Sequence, residues 1–288
     1  MTHTQTLNRD GRWAGPIFMI LAGALFAGSN TAVQAAGMTY GAPPPTIAFW
    51  QYAIATAFAV PIFIRSTWRT NRFGLHIARV ILAVLGVQAW VAGLATVPIW
   101  QAIALLLLSP IFVSLGAKIF LGENLGPSRF VAVVVGAFGG AIILQPWSDA
   151  FQLTALLPVL AAALWAGSSL LTKHLSATES TEVLTLYLLA LLLPFNGLAA
   201  IGSGFVLTGD VLWVVILAGL FIGAAQYCLA KAYTLSDAAY LQPFDHLKLP
   251  LNVGLGILVF GFAPPGSMWL GAIIIVASGA WLIHSDAD

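Results

Sequence analysis

Three ionisable residues stand together within the apolar stretch from Ser236 to Asn252: Asp245, His246 and Lys248, with Pro243 and Pro250 on either side. At about 100° per residue, a helix puts Gln242, Asp245, Lys248 and Asn252 on one face roughly 120° wide. A carboxylate and an ammonium three residues apart can hold the two ends of a zwitterion, or they can neutralise each other. His246 adds a group able to take up and release a proton near neutrality. In a bilayer each ionised group costs about 3 kcal/mol or more unless it is paired or faces water. The remainder of the chain must therefore supply an interior for this face.

Composition says what kind of interior. Charged residues are 7% of the 288 and hydrophobic ones 60%, whereas a soluble domain carries about 25% charged residues. The chain reads as an all-α polytopic membrane protein. A net charge of +1 suggests neither a nucleic-acid partner nor an acidic tail. The one cysteine, Cys228, has no partner for a disulfide or a metal site, and no motif asks for a cofactor. The partners implied are the lipid bilayer and a small-molecule substrate; the sequence leaves the oligomeric state open.

Apolar runs long enough to span fall near 16–36, 46–64, 77–95, 99–121, 128–146, 153–173, 183–201, 210–231, 238–260 and 267–284. That gives ten transmembrane helices. Arg9 and Arg12 before the first run also fit a signal peptide, but that run has a mid-chain counterpart that cannot be cleaved. With the N-terminus in the cytoplasm, every basic residue except Lys248 falls at a cytoplasmic end, Arg79 included, in one loop with Arg65, Arg69 and Arg72. Both termini are then cytoplasmic, and the expected location is a bacterial inner membrane.

An internal repeat organises the spans. Ala24–Ser29, reading ALFAGS, recurs as ALWAGS at Ala163–Ser168, 139 residues on, and the same shift carries Gly140-Ala141 onto Gly279-Ala280. The expected organisation is a cytoplasmic arm at 1–14, a five-span half at 15–146 and a second at 153–285. An odd number of spans per half inverts the second copy, the arrangement of many secondary transporters, whose site lies near the midplane between the halves. Asn30 and Gln34 in the first span share a face with Gly23 and Ala27. Ser169 and Lys173 hold the matching places in the sixth span, so these four are candidate cavity residues; close helix packing competes for the small ones. Trp90, Trp165 and Tyr240 offer faces for an apolar group. Pro110, Pro243 and Pro250 are candidate hinges, static bends being the alternative.

These features resemble the EamA-type transporters of the drug/metabolite transporter superfamily. The resemblance rests on the two halves, on LFAGSN in the first span, on Phe120–Pro127 (FLGENLGP) after the fourth, similar to that family's Leu-Gly-Glu-x-Leu-x-Pro signature, and on Pro243-Phe244-Asp245. In the second half Phe262 stands where the first has Glu123. The subgroup it looks most like is the aromatic amino acid exporters. The resemblance implies export of small metabolites, amino acids among them, by alternating access. Asn30, Gln34, Trp90, Trp165, Ser169, Lys173, Tyr240, Gln242, Asp245, His246 and Lys248 are the expected substrate contacts. Efflux of cationic drugs is the alternative, with Asp245 as counter-charge. An integral membrane enzyme is a further alternative, but His76, His174, Glu179 and Glu182 show no catalytic spacing.

Overall fold

The computed structural model describes residues 13–63, 70–109, 111–112, 115–116, 127–149, 151–176, 178–207, 209–235, 244 and 246–284. Among them the regular structure is helical, in ten helices of eight residues or more. These are α1 (Ala14–Gln34, continued by a π-helical turn, Ala35–Thr39), α2 (Pro44–Phe63), α3 (Phe73–Leu94), α4 (Ile99–Leu106) and α5 (Pro127–Leu144). After a 3-10 turn at Leu153–Leu156 come α6 (Leu157–Ser176), α7 (Thr181–Ala200), α8 (Asp210–Leu235), α9 (Lys248–Phe260) and α10 (Gly266–His284).

Local chemistry sets the ends. Gly41 takes a left-handed φ of 65°, and Pro43-Pro44-Pro45 removes the N–H groups that would prolong α1 while pre-setting φ for α2. Ser180 caps α7 by accepting from the Val183 N–H at 3.3 Å. Gly261, at φ 69°, closes α9.

Five stretches are long and apolar enough to cross a bilayer: Ala14–Thr39, Phe73–Leu94, Leu153–Thr172, Glu182–Ala200 and Asp210–Leu229. Phe130–Leu144, Lys248–Phe260 and Gly266–Trp281 are apolar but shorter. Phe138, Trp213, Leu258 and Ile273 are exposed. In water such a surface would drive aggregation, whereas against lipid it is the expected exterior.

Helix α1 packs most extensively on α8, α3 on α6, and α5 on α10; α2 lies against α7 and α8, and α9 against α1 and α4. Small residues allow the closest approaches. A Cβ at Gly271 would stand 2.6 Å from the Gly139 carbonyl, and one at Gly86 would stand 2.5 Å from the Trp165 indole nitrogen.

Two expectations change. The helix α9 begins at Lys248, after a turn at His246 and Leu247, so Lys248 stands in a first helical turn and not inside a continuous helix. Pro250 is then the third residue of α9, where a backbone N–H has no acceptor within the helix, and the turn at His246 and Leu247 stands just before it. Arg79 belongs to no loop: it is 2% exposed, inside α3. Pro110, Pro243 and the motif from Phe120 to Gly126 lie outside the described residues.

Candidate substrate-binding site

One face of α3 carries Trp90 and meets Trp165, because residues 83, 86 and 90 follow the helical repeat and face α6. Small side chains at Ala83 and Gly86 leave the room that the Trp165 ring of α6 fills. The Trp165 and Trp90 ring centroids are 5.6 Å apart, with planes inclined at 48°. Trp165 Nε1 reaches the Ala83 carbonyl at 3.4 Å.

Trp90 then begins a relay of hydrogen bonds across three helices. Its Nε1 donates to Asn30 Oδ1 on α1 at 3.1 Å. Asn30 Nδ2 donates to Asn252 Oδ1 on α9 at 3.0 Å. Asn252 Nδ2 donates to the Lys248 carbonyl at 2.6 Å. Asn30, Asn252 and Trp90 are all buried. Each amide is turned one way by its neighbour, so the group is pre-oriented.

One turn along α1, Gln34 is fully buried, and its Nε2 donates to the carbonyls of Val97 at 2.8 Å and Leu94 at 3.4 Å. Its Oε1 has no partner. An unpaired buried acceptor costs about 1–3 kcal/mol and marks a place where a ligand donor would be welcome. Val97 also lines a vestibule of about 250 Å³, shared with Thr96, Gln101, Gln145, Ser148 and Gln152. Gln34 thus lies between this vestibule, through the Val97 carbonyl it donates to, and Asn30 one turn earlier on α1.

Of the residues singled out in the sequence, the structure brings Asn30, Trp90, Trp165 and Gln34 to this face. It adds Lys248 through its backbone carbonyl, which accepts from Asn252. Ser169 is exposed; Ser168, one residue earlier, is the inward one and donates to the Arg79 carbonyl at 3.2 Å. The correction is one of register, since a step of one residue turns a helical side chain by about 100°. His246 is half-buried in the turn before α9. The side chain of Lys173, and all of Tyr240, Gln242 and Asp245, lie outside the described residues.

Asn252 was legible as a member of the charged face but not as the partner of Asn30, which is 222 residues away. Ser29 and Gln51 also went unassigned. Gln51 Nε2 donates to Ser29 Oγ at 3.0 Å and Ser29 Oγ to the Ala218 carbonyl at 2.9 Å, tying α1 to α2 and α8.

Among known proteins, residues 14–145 match the EamA-like transporter family. A riboflavin transporter of Rhizobium johnstonii is 50% identical over 94% of this chain and 91% of its own length. The chain belongs to the EamA-like transporter family. A riboflavin transporter of Vibrio cholerae is 47% identical over 93% of this EamA-like chain and 92% of its own length. One crystal structure, 18% identical, superposes with a TM-score of 0.65 over 94% of the chain and 96% of its own; it shares the fold. The EamA-like chain is thus a multi-pass membrane transporter of the drug/metabolite transporter superfamily, and not an enzyme.

Proposed function

We propose that this EamA-like protein is a secondary transporter carrying riboflavin, or a flavin close to it, across a bacterial inner membrane by alternating access. The observation that carries this reading is the name shared by relatives identical at nearly half of all aligned positions across almost the whole chain. The site is chemically compatible. An isoalloxazine is a planar, uncharged ring with one edge of carbonyl oxygens and an N–H donor. Indoles at Trp90 and Trp165 suit its faces. Carboxamides at Asn30, Asn252 and Gln34 suit its edge, and the unpaired Gln34 Oε1 suits the N–H. A neutral ligand needs no buried counter-charge, and none of these five side chains carries one.

Amino acids, the substrate class expected from the sequence, give way to flavin on the same grounds. Neither relative named above is a transporter of amino acids, and both carry the name of riboflavin. The direction of net flux follows the gradient of free substrate, so uptake replaces export where the flavin is supplied outside.

The ten-span architecture of two inverted halves, 15–146 and 153–285, with both termini in the cytoplasm, belongs to this reading. In its support, a five-helix shift turns the α1–α8 pair into α6–α3 and the α1–α9 pair into α6–α4, all of which are packed pairs. It turns α5–α10 into itself.

The direct test is growth of a riboflavin-requiring bacterium that lacks its own transporter, at limiting riboflavin. Expression of the wild-type chain should restore growth and the accumulation of labelled riboflavin. Restoration by neither measure would defeat the flavin assignment.

A further inference from the structure

We propose that Arg79 and His76 form an oxyanion subsite on the same face of α3 as the tryptophan pair. It takes the anionic arm of an aromatic ligand, and under the flavin reading on which this part rests, that ligand is a flavin 5′-phosphate.

Residues 76, 79, 83, 86 and 90 form one stripe along α3. Trp165 Nε1 addresses the Ala83 carbonyl, four residues or about 6 Å of helix rise from Arg79. The guanidinium turns from that stripe toward α7, where it meets the Leu184 carbonyl. The arm of a ligand stacked at the indoles therefore reaches it by extending along α3 and toward α7.

That guanidinium is incompletely used. Arg79 is 2% exposed, and its Nη2 donates to the Leu184 carbonyl of α7 at 2.7 Å. Nε and Nη1 have no partner, and among the described residues no carboxylate lies within ion-pair distance. Whichever Nη2 hydrogen Leu184 accepts, the other and an unpaired neighbour form a complete two-pronged edge, the geometry that grips a phosphate or carboxylate. Arginine cannot shed its proton to escape the cost of burial, so an entering anion relieves it.

His76, one turn earlier, is fully buried, and neither ring nitrogen makes a hydrogen bond. Its ring stacks on Tyr187 at 4.4 Å between centroids. Glu179 Oε1, hydrogen-bonded to the Thr70 hydroxyl, lies 4.0 Å from His76 Nε2. This carboxylate bounds the subsite, and its charge confines an anion to the Arg79 side.

The test uses full-length protein in a phospholipid-free detergent. Quenching of flavin fluorescence gives the affinities of riboflavin and of its 5′-phosphate. The ester should bind about tenfold more tightly in wild type, as charge-assisted bonds to a buried arginine imply. Arg79→Gln should erase that ratio, and Arg79→Lys, which keeps the charge but loses the fork, should restore part of it. Equal affinities in wild type, or an undiminished ratio in Arg79→Gln, would overturn the proposal.

A second measurement does not depend on flavin. Inorganic phosphate should raise the Tm of wild type and not that of Arg79→Gln. If neither flavin binds but phosphate stabilises in this way, the subsite stands and the flavin reading fails. If phosphate has no effect while added phosphatidylglycerol stabilises through Arg79, the site belongs to a lipid headgroup and the soluble-ligand proposal is refuted.

Discussion

Asn252 is where the account is most exposed at the level of single residues. Its Oδ1 accepts from Asn30, so Asn252→Leu leaves a buried amide hydrogen unpaired and should cost about 1–3 kcal/mol of stability. Adding Asn30→Leu removes that amide but strands the Trp90 indole N–H in its place. Recovery of part of the loss, as read by thermal denaturation, should therefore require Trp90→Phe as well. Riboflavin transport should stay lost in both the single and the double variant, because each lacks at least the Asn252 carboxamide. Recovered transport in the double variant would make the pair packing and nothing more. The relay was half legible in the sequence. Asn30 announced itself as a long polar group in an apolar run, but chain order carries no signal for a partner on α9. Ser169 holds the place of Asn30 at the 139-residue offset, yet the second half buries its neighbour Ser168, the counterpart of the buried Ser29. Only the packed helix reveals that difference.

At the level of elements, glycines make unequal claims. Gly86 admits the Trp165 ring, and a Cβ there would lie 2.5 Å from the indole nitrogen; the ring has nowhere to bend. Gly86→Ala should destabilise by about 1–3 kcal/mol through overpacking and alter tryptophan fluorescence. Gly254 on α9 has nothing within 4 Å of the same added atom. Gly254→Ala should therefore be neutral, or stabilising by up to about 1 kcal/mol from helix propensity. Equal Tm shifts for the two would contradict the packing described. Pro250→Ala should leave transport within about twofold of wild type, since a proline in the first turn interrupts no hydrogen bond. The helix starts were readable from hydropathy and from the Gly41–Pro45 turn. The start of α9 was not, because the apolar run continues through His246 and Leu247 while the backbone turns there.

For the whole molecule, composition alone indicated a membrane protein, and the repeat suggested how its spans pair. The substrate was not readable, since indoles and carboxamides serve many small ligands and only the relatives narrow the choice. The same held for Arg79, whose charge suggested a loop although its position in α3 is buried. The proposed topology has a direct consequence. With Cys228 replaced by alanine, a cysteine at Arg72 and one at Trp147 should react with an impermeant maleimide from opposite sides of intact cells, the first only from the cytoplasm. Labelling of both from outside would reject the orientation.

The most direct test of the flavin site is counterflow of labelled riboflavin in proteoliposomes loaded with the unlabelled compound, for wild type and for Trp90→Ala. Wild type should accumulate the label transiently, and Trp90→Ala, which loses a stacking face and the donor to Asn30, should accumulate at least about tenfold less. An absence of riboflavin counterflow in wild type, or an undiminished rate in Trp90→Ala, would contradict it.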